Sequence, residues 1–172
     1  MENKVYFFDF DETIVNTDCL VRVYNKHNRF KYKTLTPAQY AQYNELTNDK
    51  IDFTDFDFVK SPKPAYLWKV FERVVNKYPE DTYIITARHK NAKSAIQNYI
   101  YEQTGKWIKT ICVGSSDPYA KIDIMTFVIN EDEYKSFYYA DDSSRNCYYM
   151  NEAVEAYELE LNNYRIQHVE VK

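Results

Sequence analysis

Glycine is almost missing from this chain, with only Gly105 and Gly114 among 172 residues. A glycine-rich loop that cradles phosphate with bare backbone is therefore excluded. Cysteine is sparse as well. Cys19, Cys112 and Cys147 show no C-x-x-C spacing and cannot all pair, which argues for structural thiols in a reducing compartment. His27, His89 and His168 stand apart, so neither a zinc centre nor a histidine-based triad is expected. No run approaches the ~20 apolar residues of a membrane span, and the N-terminus lacks the apolar stretch of a signal peptide. Basic charge is not in excess: 22 Lys and Arg against 26 Asp and Glu give −4, which disfavours non-specific nucleic-acid binding. These absences lead us to expect a soluble, cytoplasmic protein without a membrane partner.

What is present looks globular. Apolar residues make up 45% and charged residues 28%, enough for one domain over 1–172 that buries a core without disulfides. Aromatic residues reach 17%, dominated by 18 tyrosines, which both pack and hydrogen-bond. Tyrosine doublets such as Tyr138-Tyr139 and Tyr148-Tyr149 read as packing.

Residues 4–9 are apolar on both faces, as a buried parallel strand is. "LVRVYNKHNRFKYKTL" (20–35) reads as a hairpin around "NKHN". Thr36, Pro37 and Gln39 announce a capped helix, "PAQYAQYNEL". An acidic loop follows, in which "DFTDFDF" (52–58) is pinned by Phe53, Phe56 and Phe58 with its acids facing water. A helix over 65–78 turns Leu67, Val70, Phe71, Val74 and Val75 to one side. Beyond it the chain alternates. Strands are expected at 82–87, 107–114, 136–140 and 164–171. Helices fall between them at 90–105, 120–134 and 144–161, the last with Cys147, Met150, Val154, Tyr157 and Leu161 inward. Strand-helix alternation of this kind builds parallel βαβ units, hence an α/β fold with a central five-stranded parallel sheet and helices on both faces. Residues 18–60 break the pattern and read as an insertion, a hairpin plus a short helix.

In open parallel sheets, ligands bind outside the carboxyl ends of the strands. The first strand brings Asp9 and Asp11 there, the second brings Thr86 and Arg88, and the fourth brings Asp141 and Asp142. Lys121 opens the preceding helix and can reach the same rim. Asp9 and Asp11, one residue apart, repel by roughly 3 kcal/mol at ~5 Å and an effective dielectric of ~20. Four such acids call for a cation, and hard oxygen donors select Mg²⁺. A carboxylate can attack phosphorus, a second can move the proton, and a hydroxyl and an ammonium can hold the phosphoryl oxygens.

"DFDET", "TAR", a lysine about twenty residues before the last acidic pair, and "DDSSRN" resemble, in order, the four motifs of haloacid dehalogenase superfamily phosphatases. The resemblance spans Val5 to Asn146. It implies a Rossmann-like three-layer sandwich with the first strand central, and Mg²⁺-dependent phosphomonoester hydrolysis through an aspartyl-phosphate. Asp9 would be the nucleophile, Asp11 the general acid and base, and Thr86 and Lys121 the phosphate ligands. The Asp9 carboxylate, the Asp11 backbone carbonyl, Asp142 directly and Asp141 through water would hold the metal. Arg88 would bind substrate, as in the similar phosphatase half of phage polynucleotide kinase-phosphatases. Glu12 stands where many members carry glycine, "DDS" replaces the Asp-Asn-Ser of capless protein-serine phosphatases, and the 18–60 insertion falls where small caps are placed. Substrates in view are phosphorylated nucleotides, polynucleotide 3′-phosphate ends and phosphoproteins; a catalytically idle binding module is the other alternative. A signalling receiver domain has its adjacent acid pair after the first strand, whereas here that pair comes late.

Overall fold

The computed structural model describes residues 3–171. Its strands are β1 (Lys4–Phe8), β2 (Val15–Asn16), β3 (Val21–Asn25), β4 (Asn28–Leu35), β5 (Asp49–Asp52), β6 (Lys63–Pro64), β7 (Thr82–Thr86), β8 (Lys109–Cys112), β9 (Ser136–Asp141) and β10 (Asn163–His168). Its helices are α1 (Pro37–Ala41), α2 (Trp68–Lys77), α3 (Lys93–Thr104), α4 (Pro118–Glu131) and α5 (Ser144–Ala156). Five strands form an all-parallel sheet in the order β10-β9-β1-β7-β8, with the first strand central as expected.

The alternation of side chains along β1 creates the layers. Phe8 faces Leu67, Phe71 and Val75 around α2 and Ile96 and Ile100 on α3. Val5 and Phe7 face the opposite way, toward Ile122, Met125 and Ile129 on α4 and Met150 and Ala153 on α5. Both faces of the sheet are thus covered, which is why its strands read as continuous apolar runs rather than alternating ones. Among the described residues, no helix is long and apolar enough to cross a membrane.

Element ends differ from the sequence reading for local reasons. The capping box at Thr36 and Gln39 forms, yet α1 stops at Ala41 because none of its residues is buried. Tyr40 and Tyr43 instead donate to Glu45 and Asp49. The helix beginning at Ser144 ends at Ala156 rather than 161, and Glu158 takes a positive φ of 49°. Tyr157 is therefore exposed and Ala153 takes the inward place expected for it. Val70 on α2 also lies outside the core.

The 18–60 insertion holds more than a hairpin. β5 joins it to give an antiparallel sheet in the order β4-β3-β5, while β2 pairs with β6 beyond it. "DKID" has no apolar alternation, so only pairing with β3 makes it a strand. "DFTDFDF" departs from expectation too. Phe53 and Phe58 are exposed, whereas Asp55 is half-buried and accepts from the Leu20 amide and Lys60.

Phe71→Ala should destabilise the fold by about 3–5 kcal/mol, because it empties a site walled by Phe8 and Trp68. Val70→Ala on the same helix should change stability by less than about 0.5 kcal/mol in the same urea titration.

Candidate functional site at the carboxyl edge of the sheet

β1 and β9 run in register from Lys4 opposite Ser136 to Phe8 opposite Ala140, and the Asp9 amide donates to the Ala140 carbonyl. One further step places Asp9 beside Asp141. The chain then reverses tightly: the Ile14 and Val15 amides both donate to the Phe10 carbonyl, and Glu12 turns with φ 59°. That left-handed state disfavours any side chain with a Cβ, which gives physical content to glycine being common at this position in similar motifs.

Lys121 lies at the centre. Its Nζ is 2.7 Å from Asp9 Oδ1 and 2.7 Å from Asp141 Oδ2, and all three residues are buried. Asp9 Oδ2 also accepts from the Thr13 hydroxyl at 3.2 Å. The remaining capacity of Asp141 is filled by the Tyr139 hydroxyl, the Asn146 amide at 3.0 Å and the Ser143 backbone N–H at 2.8 Å. Asp9, Asp141 and Asp142 each offer a carboxylate oxygen, and the three oxygens lie within 4.8 Å of one another. With all its donors hard oxygen, that set suits Mg²⁺ far better than a soft metal. Asp142 has the carboxylate least occupied by protein donors.

Burial raises the Asp9 carboxyl well above the ordinary carboxylate range, opposed by Lys121 and reinforced by Asp141, Asp142 and Asp11. Burial likewise pushes Asp142 up to about 6, helped by Asp141 and Glu12. For Lys121, burial works against the charge, but Asp9 and Asp141 outweigh it and hold the ammonium above the usual lysine range. Lys121 keeps its proton because it touches two carboxylates, whereas Asp9 touches one cation and faces three acids.

Asp11 is not part of that cluster. Arg88 grips it with two hydrogen bonds, Nε to Oδ2 at 2.8 Å and Nη2 to Oδ1 at 2.6 Å. The other Arg88 donors reach the Phe56 carbonyl at 2.9 Å, the Phe58 carbonyl at 2.6 Å and Thr17 Oγ1 at 3.2 Å. A guanidinium has five N–H groups, and each has an acceptor. Arg88 is consequently buried and fully committed, leaving no donor for the substrate contact expected of it; it positions Asp11 instead. Thr86, at the end of β7, is 1% exposed, and its hydroxyl accepts from the Arg88 amide at 3.2 Å. The hydroxyl proton stays free to rotate toward a ligand.

Tyr139 was expected to pack only. Its position two residues before Asp141 on one strand puts both side chains on the same face, and a buried tyrosine needs a partner for its hydroxyl. Those two facts together were the available signal. Nothing in the sequence, by contrast, announced the Phe56 and Phe58 carbonyls as Arg88 partners. An open groove of about 770 Å³ is lined by Glu12, Tyr66, His168 and Glu170 among others, and by none of Asp9, Asp11, Asp141 and Asp142. His168 Nε2 lies 3.0 Å from the Asp142 carbonyl.

No protein-family model, curated protein or solved structure matches the chain.

Arg88→Met strands Asp11 and two backbone carbonyls, and Asp11 is still 32% exposed. Chemical denaturation should show a loss of about 2–3 kcal/mol, below the ~3–5 expected when a wholly buried pair is broken. Arg88→Lys should recover only a minor part, because a point charge cannot serve five acceptors in a plane. Asp142 sets a pH dependence. Its folded-state value, about 6, lies above the ordinary 3.8, so the stability it contributes is full below 3.8 and lost as pH rises through 6. Metal-free protein should therefore melt at a higher temperature near pH 5 than near pH 7, and Asp142→Asn should reduce that difference without abolishing it, because the Asp9 carboxyl is raised as well.

Proposed function

We propose that the chain is a Mg²⁺-dependent phosphomonoester hydrolase of the haloacid dehalogenase type, working through an aspartyl-phosphate on Asp9. The observation that carries this reading is the buried Lys121 bridging Asp9 and Asp141, with Asp142 closing a three-carboxylate cluster. Among the described residues, Asp9, Asp11, Asp141 and Asp142 form ion pairs with two cations, Lys121 and Arg88, so two formal negative charges remain. A divalent cation would balance them.

Asp9 and Asp142, with the Asp11 backbone carbonyl and Asp141 through water, would hold the ion. Bound Mg²⁺ supplies positive charge that offsets repulsion between an anionic nucleophile and an anionic substrate. The remaining roles belong to the chain. An Asp9 carboxylate oxygen forms a bond to phosphorus as the bond from phosphorus to the ester oxygen breaks. Asp11, as a carboxylic acid, gives that oxygen its proton. Asp11, now a carboxylate, takes a proton from water as the water oxygen attacks phosphorus, and Asp9 leaves with inorganic phosphate released. Lys121 and the Thr86 hydroxyl donate to the phosphoryl oxygens.

The grip of Arg88 adds a constraint. Two hydrogen bonds hold the Asp11 carboxyl against the guanidinium. Protonating the leaving group requires Asp11 to let go of at least one of them.

Purified protein with Mg²⁺ should hydrolyse p-nitrophenyl phosphate, and chelation should stop it. Asp9→Asn should lower kcat by roughly 10³-fold or more, and Asp11→Asn by about 10²–10⁴-fold. Wild-type protein that is folded but inert on a broad panel of phosphomonoesters would favour an idle binding module instead.

A further inference from the structure

The charge of this protein is very unevenly placed. Between Val21 and Leu35 lie Arg22, Lys26, Arg29, Lys31 and Lys33 and no acid, so the β3–β4 hairpin carries +5. The other residues hold 17 basic against 26 acidic side chains, or −9. Among the described residues Lys26, Arg29, Lys31 and Lys33 form no salt bridge, as is true of most lysines and arginines here; Lys26 donates to the Thr47 carbonyl at 3.1 Å and Lys33 Nζ lies 3.9 Å from the Tyr43 ring.

The hairpin is also irregular where its charge is densest. Tyr24 pairs with Tyr32, but the next step pairs Asn25 with Asn28. One residue of β3 thus answers four of β4, and Arg29, Phe30 and Lys31 are set out of the ladder, with Phe30 97% exposed. Alongside them, the Tyr24 and Tyr32 rings lie 5.6 Å apart, and the Arg22 guanidinium is 6.0 Å from the Tyr32 ring. An open groove of about 800 Å³ runs here, lined by Tyr24, Lys26, Arg29, Lys50, Asp52 and Phe53 among others.

We propose that this hairpin binds single-stranded nucleic acid, with phosphates on Lys26, Arg29, Lys31 and Lys50 and bases stacked on Phe30, Tyr24 and Tyr32. Cations interleaved with exposed rings are what an unpaired strand requires, since every base offers a face to stack and every phosphate a charge. A duplex hides its base faces. An anionic vesicle would use the cations but needs more apolar insertion than one phenylalanine to hold stably. Resting on the hydrolase reading, this names the substrate class as well. The hairpin root adjoins the site, because Thr17, four residues before β3, accepts from the same Arg88 that holds Asp11. The five residues of β3 extend about 17 Å, so a strand lying along the hairpin could deliver its phosphorylated end to Asp9.

The test is fluorescence anisotropy with a fluorescein-labelled oligothymidylate of about 20 nucleotides, unphosphorylated, at about 0.15 M salt. Because no turnover is needed, Asp9→Asn protein should bind as wild type does. Arg29→Ala with Lys31→Ala should weaken binding about tenfold or more and reduce the salt slope by about 2. Phe30→Ala should weaken it at unchanged salt slope. Both variants should keep the wild-type melting temperature, as these side chains stand outside the ladder. No binding, binding that the variants leave intact, equal binding to a duplex, or preference for phosphatidylserine vesicles over the oligonucleotide would each overturn the inference. Hydrolysis of p-nitrophenyl phosphate without oligonucleotide binding would defeat the hairpin alone; binding without hydrolysis would defeat the hydrolase reading alone.

Discussion

A single ammonium group joins the two ends of this chain. Lys121 reaches Asp9 across 112 residues and Asp141 across 20, and all three are buried. Removing one charge from water is expensive, and removing three succeeds only when each has close partners of opposite sign or further hydrogen bonds. The structure meets that condition with Thr13, Tyr139, Asn146 and the Ser143 amide. Such a cluster does not arise as a cheap route to stability, because well-packed apolar side chains would do at least as well. It is better understood as a site whose remaining negative charge is intended for something that binds.

A second cation organises the other half of the edge. Arg88 belongs to the loop after β7, yet it is hydrogen-bonded to Asp11 after β1 and to the Phe56 and Phe58 carbonyls in the insertion. Its ring neighbours Phe10 and Phe56 lie 5.2 and 5.3 Å from the guanidinium. The planar fork of arginine can serve a carboxylate and two backbone oxygens at once, which a lysine cannot. The insertion is therefore coupled to Asp11 through one side chain.

Much of this was legible in the sequence because it rests on local rules. β1, β7 and β9 are apolar on both faces, and their carboxyl ends deliver Asp9, Thr86 and Asp141 to one edge whatever the helices do in detail. Thr36 and Gln39 specify their capping box within four residues. Lys121 could be placed by its spacing from Asp141. What stayed hidden depends on contacts distant in sequence. β5 has the composition of a loop and is a strand only through β3. The task of Arg88 could not be inferred, since two of its partners are backbone carbonyls and a carbonyl carries no residue identity. Tyr139 lay between: its face was readable, its hydrogen bond was not.

The two unusual charge placements bear on one another. An acidic edge with two unbalanced negative charges repels a phosphorylated ligand at long range, before any close contact can form. Screening limits this to about 8 Å at physiological ionic strength, but a polyanionic ligand presents many charges within that distance. A cation at the edge offsets the local repulsion for small and large substrates alike. It would do nothing for the rest of a polymer, whose further phosphates meet a body that is still net acidic outside the hairpin, with a formal balance of −9 before any cation is bound. On the proposed reading, a basic arm rooted beside the edge would remove that second penalty for a strand and give no advantage to a small phosphomonoester. The uneven charge would then, on that same reading, select among substrates by length through electrostatics.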